Sequence, residues 1–286
     1  MNGDAKIKLP PSLGIAPWLV MGILNVTPDS FHDRGRYGQF YGAVERAREM
    51  AAQGAGIIDI GGESTRPGSE PVPLEEELGR VIPVIEAVLP EIDVPVSVDT
   101  SKAEVASASV AAGAGMINDV TALRGDEQMA AVVAEAGCPV CLMHMLGEPR
   151  TMQENPQYED VIDDIKSFFV ERVEFAVAAG IRRENIILDP GIGFGKTLEH
   201  NLAIIRRMDE LLELGLPVLI GASRKRFIGM ITGEEDTEDR LPGTLAATVM
   251  AYVKGASIFR VHDVAENIQA LQVAAAIAGH GGLANT

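Results

Sequence analysis

Residues 18–31 read WLVMGILNVTPDSF. The first eight suit a buried strand: Val20, Met21, Ile23 and Leu24 are apolar, and Gly22 admits close packing. The chain then turns polar at Asn25, Thr27, Pro28, Asp29 and Ser30. Pro, Asp and Ser are turn formers, so a strand and a turn account for the local pattern. A second reading is that the strand aims Asn25 at a ligand. The turn also bears on architecture. An open doubly wound sheet carries a Gly-rich phosphate-binding turn after its first strand, and NVTPDS is not one. A closed barrel makes no such demand, provided that the rest of the chain repeats the unit.

Eight apolar runs follow one another: 18–25, GIIDIGG (56–62), VPVSVDTS (94–101), GMINDV (115–120), PVCLMHM (139–145), NIILDPG (185–191), PVLIGAS (217–223) and SIFRVHD (257–263). Near-continuous apolar character marks strands covered on both faces, as in a parallel sheet. Amphipathic stretches separate them. Leu78, Val81, Ile82, Ile85, Val88 and Leu89 fall at helical spacing, as do Leu202, Ile205, Met208 and Leu212, then Val264, Ile268, Leu271 and Ala275. Glu75, Glu76 and Glu77 open one helix, where the macrodipole favours negative charge. Gly54, Gly113, Gly137, Gly180 and Gly255 each follow a helical pattern, as C-terminal caps do. The expectation is an α/β protein, a single-domain (β/α)8 TIM barrel over 18–278, with an N-terminal extension (1–17) and a C-terminal tail (279–286).

The 286 residues are 47% hydrophobic, enough for a large core, and carry a net charge of −17. That balance argues against nucleic acid or an anionic membrane as partner, since both call for broad basic surfaces. No apolar run approaches the ~20 residues that span a bilayer, and MNGDAKIKLPP lacks the apolar core of a secretory signal. A soluble, cytoplasmic protein is expected. Cys138 and Cys141 form a C-x-x-C inside an apolar run, where two small buried hydrophobes are a better reading than redox chemistry.

Barrel ligands bind at the carboxyl ends of the strands. In order, those ends carry Asn25; Asp59 then Glu63; Asp99; Asn118 and Asp119; His144; Asp189; Ser223 with Lys225; and Arg260 with His262. The opposite ends are Pro, Gly, Val and Ala. Both mouths of a barrel are equally wet, so chance would not segregate polarity in this way. Singly, each has a plain alternative. Asp99 and Asp119 are possible capping residues, Asp189 a turn residue before Pro190, His144 a core histidine, and Arg224 and Arg226 an exposed turn. The exposed reading is preferred for Arg226. As a set they make chemical sense. Asp99, Asn118 and Asp189 offer acceptors and an amide donor to a flat heterocycle with an amino-pyrimidine edge. Arg260 and His262, alternating on one strand, point one way and suit an anion. The loops 26–38 and 62–73 are long, rich in Pro and Gly, and carry arginine, as functional lids often do.

MGILNVTPDSF and DIGGESTRPGS resemble the two signature segments of the dihydropteroate synthase family. SVDTSK, GMINDV, CLMHM, LDPGIGFGK, GASRKRFIG and RVHDV resemble its remaining blocks, in family order, over roughly 18–278. The resemblance implies a barrel, a homodimer and a transferase of folate biosynthesis. Such an enzyme joins 4-aminobenzoate to (7,8-dihydropterin-6-yl)methyl diphosphate, with Mg2+ on the diphosphate and sulfonamides as competitors. Carried over by motif, Asp99, Asn118, Asp189 and Lys225 would hold the pterin. Asn25, through Mg2+, with Arg260, His262 and Thr65 would face the diphosphate. Arg66 and Pro67 would surround 4-aminobenzoate, and Phe194 and Ser223 would line its site. Met143 and Gly221 complete the substrate contacts, and Asp99, Asp189, Lys225 and Arg66 the catalytic set. His32, Arg34 and Ile192 depart from the family pattern. Two rivals share the barrel. A pterin domain of corrinoid-dependent methyltransferases needs neither Thr65-Arg66-Pro67 nor a basic RVH strand, and a non-catalytic pterin-binding paralogue would not need Asn25, Lys225, Arg260 and His262 intact.

Overall fold

The computed structural model describes residues 18–27, 35–64, 68–147 and 151–279. Eight strands run in chain order: β1 (Leu19–Asn25), β2 (Ile57–Gly61), β3 (Val96–Asp99), β4 (Met116–Asp119), β5 (Val140–Met143), β6 (Ile186–Asp189), β7 (Leu219–Ile220) and β8 (Ile258–Val261). Each lies inside one of the eight apolar runs. The helices are α1 (Gly35–Ala52), α2 (Leu74–Val88), α3 (Ala103–Ala111), α4 (Met129–Ala136), α5 (Val161–Ala178), α6 (Leu198–Arg206), α7 (Met208–Leu211), α8 (Arg226–Thr232), α9 (Leu241–Val253) and α10 (Val264–Ile277). All the strand pairs are parallel, in the order β6-β5-β4-β3-β2-β1-β8-β7. A bridge between Leu188 and Val218 joins the two ends of that sheet. The single-domain (β/α)8 barrel is therefore the fold.

Strand parity explains where the site must be. Met21, Ile57, Met116, Cys141, Ile187, Leu219 and Ile258, one from each of seven strands, pack into an apolar plug in which every member is fully buried. Residues i and i+2 of a strand share a face. Two positions on stand Ile23, Asp59, Asn118, Met143, Asp189, Gly221 and Arg260. Within one step along the strands the barrel lining changes from oil to polar groups. The plug also settles Cys141, a buried free thiol packed as a hydrophobe, its thiol pKa pushed up by burial.

Two expectations change. From Gly35 the stretch 26–38 is already helix α1, and its residues 28–34, with His32 and Arg34, lie outside the described residues. The helical pattern from Leu202 to Leu212 breaks at Arg207, whose backbone (φ −110°, ψ 24°) ends α6 and starts α7. The five capping glycines all have left-handed backbone, φ between 62° and 109°. Among the described residues no helix is long and apolar enough to cross a membrane. The extension 1–17 and most of the tail lie outside the described residues.

Candidate active site

The floor of the mouth is a network of acids around one guanidinium. Arg260, from β8, donates through Nε to Asp59 Oδ2 (2.6 Å) and through Nη2 to Asp99 Oδ2 (2.7 Å). Asn118 on β4 donates to the same Asp59 oxygen (3.0 Å). Asp59 is fully buried and its Oδ1 has no hydrogen bond among the described residues. Burial disfavours the Arg260 charge, but the two carboxylates outweigh it and hold the group protonated. Burial also pushes the Asp99 carboxyl up to about 7, against the pull of Arg260, and Asp59 pushes it further. An acid so placed is short of positive partners, and donors on a ligand would fill that need.

Asp189 ends β6, beside Met143 in the ladder. It is buried, which raises its pKa, while its Oδ1 accepts the Gly191 N–H (2.7 Å) and Lys225, Arg260 and Lys196 favour its charge. Lys225 follows β7, and its Nζ stands 4.2 Å from the centre of the Phe194 ring, a cation–π contact. Phe194 packs with Val120, Met143, Met145 and Met152 in a small apolar cluster at the rim. The backbone here needs Gly191: its φ is 68°, and a Cβ would collide with the His144 carbonyl.

Arg260 and His262 meet different partners. Arg260 turns inward to the two acids. His262 pairs through Nδ1 with Ser223 Oγ (3.0 Å), and Ser223 Oγ accepts the His262 N–H (3.2 Å). Burial, reinforced by Arg260 and Arg224, lowers the His262 pKa to about 3, so the ring is neutral near pH 7. Asn25 ends β1 next to Gly61, and Gly221 adjoins Arg260. Thr65, Arg66 and Pro67 lie outside the described residues.

Three strand-end groups have other duties. Asp119 accepts the N–H and hydroxyl of Thr121 and the N–H of Leu123, so it caps its own loop. Glu63 pairs with Lys102, which also binds the buried Glu77, and Thr100 donates to Glu77 (2.7 Å). Glu77 thus braces the loop after β3 as well as opening α2. His144 is a buried histidine bonded to Lys196 (3.0 Å). In the S-R-K-R turn, Arg226 is exposed as expected. Arg224 is not: it adopts φ 57° and forks onto Asp263 at 3.0 and 2.6 Å. Asp59 was the floor residue missing from the candidate substrate contacts. Its place two residues after Ile57 is the signal that finds it.

Comparison with known proteins gives one family and near relatives. The model of the family described as pterin binding enzyme matches residues 21–262. Dihydropteroate synthase of Escherichia coli (strain K12) is 49% identical over 262 residues, 92% of each chain. The structure of Xanthomonas albilineans dihydropteroate synthase with 4-aminobenzoic acid is similar at TM-score 0.87 and 48% identity, over 93% of this chain and 95% of that one. That of Yersinia pestis dihydropteroate synthase in a sulfonamide drug complex has TM-score 0.88 and 46% identity, over 93% and 96%.

Proposed function

The chain belongs to the pterin-binding enzyme family, its activity is that of a dihydropteroate synthase, a transferase of folate biosynthesis, and from that premise we propose how its residues divide the work. The observation that carries the proposal is the floor: Asp59, Asp99, Asn118 and Arg260, from four strands, in one hydrogen-bonded group, with Asp189 in the field of Arg260 and Lys225. The substrates are a pterin methyl diphosphate and 4-aminobenzoate, and sulfonamides compete for the second. Asp99, Asn118, Asp189 and Lys225 hold the pterin edge. Phe194 and Ser223 line the 4-aminobenzoate site, with Arg66 and Pro67, while Met143 and Gly221 shape the pocket. Thr65, Asn25 and the rim around His262 face the diphosphate. Arg260 keeps the acids in register.

The bond that breaks joins the exocyclic methylene to a diphosphate oxygen. An arylamine is a weak nucleophile, so an SN1-like path suits: pyrophosphate leaves with the bonding pair and the pterin ring spreads the positive charge. The amine nitrogen then bonds to the methylene and releases a proton to water. Buried carboxylates at Asp99 and Asp189 favour positive charge growing on the ring. Magnesium fits the donor set at Asn25. Among the described residues no three His, Cys, Asp or Glu side chains form a cage, and Mg2+ is commonly held by one or two protein oxygens, substrate phosphates and water. Bound there it would neutralise charge on the departing pyrophosphate.

Pyrophosphate release from the pterin diphosphate, with and without 4-aminobenzoate, tests the reading. A protein that binds the pterin and releases none is a binding paralogue instead. Asp189→Asn is expected to lower turnover roughly 10- to 150-fold, the worth of one hydrogen bond to a charged group; unchanged turnover defeats the mechanism.

A homodimer is part of the proposal. Met230, Ile231, Met250, Val253, Val273 and Ile277, on α8, α9 and α10, are each at least half exposed, an apolar face that suits a partner copy. A monomer in sedimentation would refute it. So is a cytoplasmic location, which suits two cysteines that remain free thiols.

A further inference from the structure

Lys196 follows the glycine loop after β6 and is only 3% exposed. Its hydrogen-bond partners among the described residues are all neutral. Nζ donates to the carbonyl of Phe194 (2.9 Å) and to that of His144 (3.3 Å), and pairs with His144 Nδ1 (3.0 Å). Burial lowers its pKa to about 7; Asp189 at the end of β6 works against that and Lys225 after β7 adds to it. His144 stays neutral, its pKa lowered to about 2 by burial, then by Lys196 and Arg124. On α6, the His200 pKa is also lowered, by burial and then by Lys196. A buried lysine without a carboxylate bond is a costly way to fill space, where a leucine would bury no charge.

What a leucine could not do is tie two segments together. The loop Gly191–Lys196 has its polar backbone groups held one by one. Asp189 takes the Gly191 N–H, and Asn201 takes the Gly193 N–H (2.7 Å). Gln153 holds the Gly193 carbonyl, and the Tyr158 hydroxyl holds that of Gly195 (2.8 Å). The Phe194 carbonyl falls to Lys196, and the same ammonium reaches back to the end of β5. On the other side of that peptide, the Phe194 ring carries Lys225 on its face. The tilt of that one peptide thus sets the ring at the rim.

We propose that Lys196 is a positioning residue for the second substrate: by tying the Phe194 carbonyl to the end of β5 it fixes the Phe194 ring at the angle the 4-aminobenzoate subsite requires. The inference rests on reading Phe194 as a wall of that subsite. It names the buried residue on which the wall depends.

Steady-state pyrophosphate release separates the possibilities. Lys196→Met raises the KM for 4-aminobenzoate about tenfold, the loss of one net hydrogen bond, while the KM for the pterin diphosphate stays within roughly threefold. Lys196→Gln keeps amide donors for the two carbonyls and returns the 4-aminobenzoate KM to within about threefold of the parent. Because the tie acts through Phe194, Lys196→Met adds little to Phe194→Ala. Equal rises in both KM values, a glutamine variant no better than methionine, or additive losses overturn the inference. A parent protein that releases no pyrophosphate at all sinks the functional reading instead. Should Lys196→Met not fold, the parent labelled with 15N-lysine decides. The Lys196 Nζ resonance shifts when 4-aminobenzoate joins the pterin complex, and an unmoved resonance overturns the proposal.

Discussion

Two cations, Lys196 buried and Arg260 half-buried, sit at the same barrel mouth and are answered in opposite ways. Arg260 lies between Asp59 and Asp99, a charge answered by charges. Lys196 lies against two carbonyls and an imidazole, a charge answered by dipoles. The first arrangement leaves negative charge in excess, ready for the donors of a bound heterocycle. The second sets no bonded acid beside the cation and instead fixes backbone. The difference teaches that burial of a charge does not by itself mark a binding group; the partners decide what the burial is for.

Removing each cation breaks the comparison most directly. Arg260→Met strands Asp59 and Asp99 as adjacent buried carboxylates, and a loss of about 3–5 kcal/mol in urea unfolding is expected. Lys196→Met strands only neutral acceptors and is expected to lose about 1–3 kcal/mol. Equal losses would erase the distinction.

Acid gives a second contrast, because the clusters respond with opposite sign. The His144 value is far below that of an unfolded histidine, near 6.5. Its stabilising effect is complete above ~6.5 and falls away as pH drops from there toward 2. The Asp99 value, about 7, exceeds its unfolded value near 3.8. Its stabilising proton is fully bound below 3.8 and is lost as pH rises through 7. Between pH 7 and 5 the two oppose each other. His144→Gln should lessen the acid-induced drop in unfolding free energy by roughly 2 kcal/mol, and Asp99→Asn should deepen it by about as much. Identical slopes in both variants would refute the assignment.

The smallest effect sharpens the rim. Arg226 is exposed and Arg224 is forked onto Asp263. Arg226→Ala is expected to change stability by less than about 0.5 kcal/mol and to leave both KM values as they were. Arg224→Ala should cost about 1–3 kcal/mol in the same unfolding assay.

Much of this was legible because a strand buried on both faces writes a continuous apolar run, and eight such runs appear in order. Their ends named Asp99, Asn118, Asp189 and Arg260. Yet Asp119 reads like Asp99, and His144 reads like His262. A residue type at a strand end states that a polar group is present but not which partner claims it. Asp119 is claimed by its own loop, His144 by a lysine 52 positions later. Lys196 carried no signal beyond its place after GIGFG, since a lysine next to glycines is most simply exposed.

By itself, then, the sequence determined the barrel and the rim on which chemistry gathers, because hydrophobic periodicity and strand direction are local properties of the chain. Tertiary structure alone decided that Arg260 serves two acids, that His262 is neutral and that Lys196 is buried. Those outcomes depend on groups up to 201 positions apart meeting where water is excluded, and desolvation is a property of the assembled barrel, not of any segment.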